Sequence, residues 1–197
     1  MNHIESYFVR IIRKFFLIIL HISGWTIIGN FPNIPKFVVV IAPHTSILDF
    51  WHMLSARILL QLRYFSKNNK KKKRDIYWLA KNSLFKWPIK QFIERLGAIP
   101  VNRSKSSNII DNLATIAINN DSFIIGIAPE GTRRKYKNID FKWKTGFYYL
   151  AIKANIPIVA CHIKHINKTL IIGKPIYLTG ILDIDMNRII TFYKNSS

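Results

Sequence analysis

The 197-residue chain is poor in cysteine. Its single cysteine, Cys161, excludes an internal disulfide, and its place in the apolar run of residues 156–163 predicts a buried structural thiol. Among the six histidines, His162 and His165 have no second Cys or His pair at a spacing that suits zinc. We therefore predict no metal site.

Acidic side chains are also scarce, with 10 Asp and Glu against 30 Lys and Arg, a net charge of +20 and a pI near 10.2. Such a charge indicates anionic partners or an anionic membrane surface. The densest cationic run, residues 67–74, fits either a solvated loop or a contact with lipid headgroups. A nucleic-acid-binding module is the less favoured interpretation, because the cations are scattered and no RNP, zinc-finger or helix-turn-helix pattern occurs. We predict no nucleic-acid partner.

No apolar run reaches the roughly 20 residues that a membrane-spanning helix needs. The longest, residues 15–28, follows Arg10, Arg13 and Lys14, and no small-x-small cleavage site of a signal peptide comes after it. The pattern favours a helix lying in the membrane interface with Trp25 in the boundary layer, and a buried core helix is the alternative. We therefore predict an interfacial segment at residues 1–30, a catalytic domain at residues 31–197, and a monotopic protein on the cytoplasmic face of the inner membrane.

The remaining chain alternates between strand and helix patterns. Residues 36–42 form a β-branched apolar run, which is typical of a strand covered on both faces. Further strands are predicted at residues 75–80, 98–102, 122–128, 156–163 and 169–172, and helices at 46–64, 88–96, 108–119 and 146–154. This order predicts an α/β domain in which a layered mixed or parallel sheet is flanked by helices.

Polar residues follow three of these strands. His44 comes after the first, Arg103 after another, and Glu130 to Arg133 after a third. Ligands of open α/β sheets bind beyond the carboxyl ends of the strands, so the three segments would converge if their strands run parallel.

Taken singly, these segments are ambiguous. Residues 46–49 also fit a helix capping box, and residues 129–131 fit an ordinary turn. Taken together, a histidine that can move a proton and a turn that can hold an anion indicate an enzyme acting on a phosphorylated alcohol.

Four blocks stand in one order: His-Thr-Ser-Ile-Leu-Asp at 44–49, Gly-Ala-Ile-Pro-Val-Asn-Arg at 97–103, Pro-Glu-Gly-Thr-Arg at 129–133 and Ile-Pro-Ile-Val at 156–159. In these blocks, across residues 36–178, the chain resembles the glycerolipid acyltransferase family typified by 1-acylglycerol-3-phosphate acyltransferase. The resemblance implies transfer of a fatty acyl group from an acyl thioester to the free hydroxyl of a lysophospholipid, in phospholipid biosynthesis. Pro43 before His44 and Arg134 after Arg133 depart from the family's usual residues, so another lysolipid or a lyso-aminolipid remains an alternative acceptor.

The resemblance also implies a role for each matched residue. His44 would be the general base toward the acceptor hydroxyl, and Asp49 would hold its other ring nitrogen. The substrate-binding residues would be Arg103, Glu130, Gly131, Thr132 and Arg133. The arginines and the backbone around Gly131 would bind the acceptor phosphate, whereas Glu130 would orient an arginine or an acceptor hydroxyl.

The nucleophile is expected to be the substrate, because the chain has no Gly-x-Ser-x-Gly elbow and Cys161 lies in an apolar strand. We predict direct transfer, no cofactor, and acyl-CoA or acyl carrier protein as co-substrate. Trp51, Trp78 and Trp87 could line an acyl groove or belong to the core. A non-catalytic lipid-binding protein is the remaining rival, and the intact His44 and Asp49 pair argues against it.

Overall fold

The computed structural model describes residues 18, 22–43, 75–86, 89–95, 97–101, 106–131 and 143–196. Within these ranges lie seven strands: β1 Thr26–Ile28, β2 Lys36–Ala42, β3 Ile76–Lys81, β4 Ala98–Val101, β5 Phe123–Ile127, β6 Ile158–Lys164 and β7 Thr169–Ile176. The α-helices whose bounds fall in the same ranges are α1 Ile89–Arg95, α2 Ser106–Asn119, α3 Gly146–Ala154 and α4 Leu182–Asn195, and a 3-10 turn lies at Asn82–Leu84.

The strands form one mixed sheet in the order β1-β7-β6-β2-β5-β3-β4. The five strands from β6 to β4 are mutually parallel, whereas β7 runs antiparallel to β6 and β1 runs parallel to β7. The predicted α/β class with a mixed sheet flanked by helices is confirmed.

Strand β2 is central because both of its faces are covered. Alternate side chains of a strand point to opposite faces, and all residues from Phe37 to Ala42 are buried. Val38, Val40 and Ala42 join the core under the helices, whereas Phe37, Val39 and Ile41 join the core on the other face. This double burial explains the uninterrupted apolar run.

Helices α2, α3 and α4 pack on one face of the sheet with apolar side chains at helical spacing. These side chains are Leu113, Ala114 and Ala117 from α2, Phe147, Leu150 and Ala151 from α3, and Ile189 and Tyr193 from α4. On the opposite face, Trp25, Ile27, Phe31 and Ile34 pack against the second core. The helices thus cover one face of the sheet. The carboxyl ends of the parallel strands lie together at one edge of it.

Helix α4 was not predicted from the sequence. Its start is fixed by the fully buried Asp185, whose carboxylate accepts hydrogen bonds from the N–H groups of Thr179, at 2.8 and 3.1 Å, and Gly180, at 3.2 Å. Arg188 also donates to Asp185 at 3.2 Å. A buried carboxylate needs such partners, so Asp185 ties the helix to the loop before it.

The N-terminal apolar run ends differently from the prediction. Ile18 and Ile22 are helical and exposed, but Thr26–Ile28 form an edge strand paired with β7. The last three residues of the run are therefore strand rather than helix, because β7 offers them a pairing edge. Most of the predicted interfacial helix lies outside the described residues, as does the helix predicted at 46–64, and the domain boundary at residue 30 stays a prediction. Among the described residues, no helix combines the length and apolar character needed to cross a membrane.

Candidate active site

The carboxyl ends of β2 and β5 lie side by side. The two strands are parallel neighbours, with Val40 opposite Ile127, and neighbouring strands are about 4.8 Å apart. Strands β3 and β4 continue the same parallel set, with Lys81 opposite Val101. The parallel arrangement required for convergence of the three sequence segments is confirmed for the strands that precede them.

A tight turn leaves the end of β5. The N–H of Gly131 donates to the carbonyl of Ala128 at 3.2 Å, and the N–H of Lys144 donates to the carbonyl of Pro129 at 2.9 Å. Gly131 has a φ of 67°, a backbone region that residues with a Cβ enter only at a cost. Residues 128–131, which include the start of the Pro-Glu-Gly-Thr-Arg block, therefore form a turn at the predicted edge of the sheet.

The side chain of Lys144 lies against this turn. A Cβ at position 131 would stand 3.2 Å from both Cδ and Cε of Lys144 and 3.5 Å from its Nζ. The absence of a side chain on Gly131 thus lets the lysine stem rest on the turn and brings its ammonium group there. Sequence reasoning did not assign Lys144 to the site, and its position just before α3 was the only local signal.

Tyr193 of α4 holds β2 near the carboxyl end of that strand. Its hydroxyl is fully buried and donates to the carbonyl of Val40 at 2.7 Å. Burial raises the pKa of Tyr193 well above its ordinary value of 10, so the hydroxyl stays protonated and acts as a donor. The last helix is therefore tied to β2 near the end of that strand.

Aromatic side chains surround this tyrosine. The Trp143 ring meets it edge-on at 5.0 Å between centroids, and the His162 ring lies at 5.6 Å. Burial, with a smaller effect from the charge of Lys164, lowers the pKa of His162 from 6.5 to about 4. The Nδ1 of His162 is 2.8 Å from the Ser196 hydroxyl. His162 is thus a neutral core histidine next to β2.

Of the predicted site residues, Glu130 and Gly131 lie in the turn after β5, both partly buried. His44, Asp49, Arg103, Thr132 and Arg133 lie outside the described residues, so their roles stay predictions. Pro43 is the last described residue before His44. The cationic run at 67–74 is outside the described ranges too.

The remaining candidates belong to the core where they are described. Trp78 packs against the small cluster of Ala80, Ile93 and Ala98, whereas Trp51 and Trp87 lie outside the described residues. Cys161 is 1% exposed and burial raises its thiol pKa, so the predicted buried thiol is confirmed. Within the described ranges, no group of three His, Cys, Asp or Glu side chains could hold a metal ion.

Comparison with known proteins agrees with this geometry. No curated protein matches the chain. The crystal structure of the 1-acyl-sn-glycerophosphate (LPA) acyltransferase PlsC from Thermotoga maritima is similar, with a TM-score of 0.63 and 20% identity, covering 100% of this chain and 82% of that one. At this identity the likeness shows a shared fold. The family model described as Acyltransferase matches residues 27–164, well over half of the chain. The protein belongs to this acyltransferase family, as its glycerolipid acyltransferase blocks indicate.

Proposed function

We propose that the protein transfers a fatty acyl group from an acyl thioester to the free hydroxyl of a lysophospholipid, with 1-acylglycerol-3-phosphate as its acceptor. Membership of the acyltransferase family supports the reaction class. One structural observation supports this location of the active site. The end of β2 lies beside the turn at Glu130 and Gly131, and Tyr193 contacts β2 at Val40. Two residues after Ala42, the end of β2, the chain reaches His44.

His44 is the proposed general base. A neutral imidazole, with an ordinary pKa near 6.5, takes the hydroxyl proton as the acceptor oxygen attacks the thioester carbonyl. The tetrahedral intermediate then expels the thiolate, which takes that proton back from the imidazolium. An ester bond forms, a thioester bond breaks, and a free thiol leaves. Asp49 stabilises the imidazolium by accepting from its other ring nitrogen, and no acyl-enzyme forms.

The acceptor phosphate would bind at the turn after β5. Arg103 and Arg133 are proposed to donate to its oxygens, with Gly131 and Thr132 contributing from the turn. Lys144 supports this assignment, because its ammonium group lies at Gly131. Helix α3 begins at Gly146, two residues later, and the positive end of a helix dipole favours an anion nearby. Glu130 is proposed to orient an arginine or the acceptor's hydroxyl.

The donor is proposed to be acyl-CoA or acyl-ACP, and the protein is proposed to be monotopic on the cytoplasmic face of the inner membrane. The charge of +20 suits anionic lipids and both anionic donors. In this scheme the chain's own side chains move the proton, and the thioester is a co-substrate.

An acceptor screen tests the proposal. Purified full-length protein in detergent is mixed with acyl-CoA or acyl-ACP, and thiol release is followed with 1-acylglycerol-3-phosphate, other lysophospholipids or a lyso-aminolipid. The expected result is fastest release with 1-acylglycerol-3-phosphate. Faster release with a lyso-aminolipid would replace the proposed acceptor, and no release above the donor blank with any acceptor would contradict the proposed function.

A further inference from the structure

The turn between β6 and β7 presents one isoleucine almost completely to solvent. Ile166 is 98% exposed, and it stands between His165 and the exposed pair Asn167 and Lys168. A single exposed isoleucine is ordinary on a protein surface. Ile166 differs in three respects: its position at the edge of the sheet, its charged neighbours, and the contacts between its turn and the N-terminal segment.

The turn lies at the same edge of the sheet as the proposed active site. His162 of β6 pairs with Ala42, the last residue of β2, and β6 continues to Lys164. Two further strand residues extend about 7 Å, so the turn reaches past the end of β2. A flat surface that touches Ile166 would therefore face the edge of the sheet at which β2 ends.

The turn is also joined to the N-terminal segment. Lys168 donates from Nζ to the carbonyl of Ser23 at 3.0 Å, and its own carbonyl accepts from the N–H of Thr26 at 2.8 Å. The Trp25 ring meets the His165 ring edge-on at 5.9 Å. Ile22, 79% exposed, comes directly before this junction. The two segments, each with an exposed isoleucine, are therefore adjacent at this end of the sheet.

The charge of this surface is positive. Lys164 and Lys168 flank the turn, and residues 141–182 contain no Asp or Glu. The N-terminal segment likewise has no acidic residue between Glu5 and Asp49. An apolar tip ringed by lysines matches an anionic bilayer, in which the side chain enters the boundary layer and the ammonium groups meet the headgroups.

We propose that this surface, which we call the tip surface and define as Ile22, Trp25, Lys164, His165, Ile166 and Lys168, docks onto an anionic lipid bilayer. Docking there turns the carboxyl edge of the parallel strands toward the membrane, so that a lysolipid reaches the site without leaving the interface. The purpose of this orientation rests on the proposed function, but the docking itself is measured without turnover. Failure of one is therefore distinguishable from failure of the other.

The buried Cys161 makes a local probe available, because its thiol is protected from reagents. Ile166→Cys is labelled with an environment-sensitive fluorophore in the full chain, and unlabelled wild type under the same reagent is the blank. Ile118→Cys is the matched control: Ile118 is 57% exposed, and its carbonyl accepts from Lys36 at the opposite edge of the sheet.

With vesicles of phosphatidylcholine and phosphatidylglycerol, the label at position 166 is expected to shift to the blue and to resist quenching by aqueous iodide. The label at position 118 is expected to do neither, and purely zwitterionic vesicles are expected to give a weaker response at 166. Ile166→Ser is expected to weaken partition into the anionic vesicles roughly tenfold, since an isoleucine side chain leaves the boundary layer. Ile118→Ser is expected to leave partition unchanged.

Three outcomes overturn the proposal. The first is vesicle binding with no response at position 166, which would leave the membrane contact to other parts of the chain. The second is an equal response at positions 166 and 118, and the third is an absence of binding to anionic vesicles.

Discussion

The hydroxyl of Tyr193 donates a 2.7 Å hydrogen bond to the carbonyl of Val40, which stands 153 residues earlier in the chain. The bond joins the last helix to the strand that leads to His44. Residue 193 lies beyond residues 27–164, where the family model matches. The C-terminal helix thus supports the strand that leads to the proposed base.

Tyr193→Phe is expected to destabilise the fold. The change removes the bond and leaves a buried carbonyl with one partner fewer, at a cost of about 1–2 kcal/mol. For a chain of this size the melting temperature should fall by roughly 2–8 °C. Tyr177→Phe, at a side chain 64% exposed, is the matched control and should melt with the wild type. Equal melting of the two variants would show that the bond contributes nothing to stability.

The free energy of unfolding should depend on pH because the pKa of the buried His162 is lowered in the fold. Its pKa in the fold is about 4 against 6.5 when unfolded, so the unfolded state binds more protons between these values. Stability contributed by the neutral ring is present above pH 6.5 and is lost as the pH falls toward 4. Urea unfolding of the wild type should lose roughly 1–2 kcal/mol between pH 7 and pH 5 from this group. His162→Leu should show a shallower dependence over the same interval, and an unchanged slope would contradict the assignment.

Lys144→Met is expected to weaken acceptor binding. The variant keeps most of the stem that covers Gly131 but removes the ammonium group beside the turn. A lost charge-assisted contact to phosphate should raise the acceptor KM roughly tenfold, with little change in kcat or donor KM. Lys153→Met is the control, because Lys153 pairs with Asp111 on the helices α3 and α2. A rise confined to the donor KM would place Lys144 at the thioester instead.

Much of the fold follows from local pattern. The bounds of β2 and α3 match the prediction residue for residue, since an uninterrupted β-branched apolar run and an apolar helix face are both clear local signals. Strand β7 runs on to Ile176, past the predicted end at residue 172, through Gly173 and Pro175. Pro175 is tolerated because β1 pairs with β7 only as far as Ile171, and among the described residues no strand pairs with that side of β7 beyond this point.

The candidate site was predictable only where it is local. Glu130 and Gly131 belong to a turn that the sequence block specifies, and the turn is where we expected it. The contacts of Lys144 with Gly131 and of Tyr193 with Val40 join distant segments, and no periodicity encodes such contacts. Helix α4 was missed for a related reason: its start depends on Asp185 being buried against the backbone of Thr179 and Gly180.

The central claim is that the imidazole of His44 performs the proton transfer, and kcat of His44→Ala tests it most directly. Thiol release from acyl-CoA in the presence of 1-acylglycerol-3-phosphate should fall by about 10²–10⁴-fold, with the melting temperature unchanged. His162→Leu, which removes a buried histidine outside the proposed machinery, should keep kcat within a few-fold of wild type. If His44→Ala turns over as fast as His162→Leu, the general-base account is wrong.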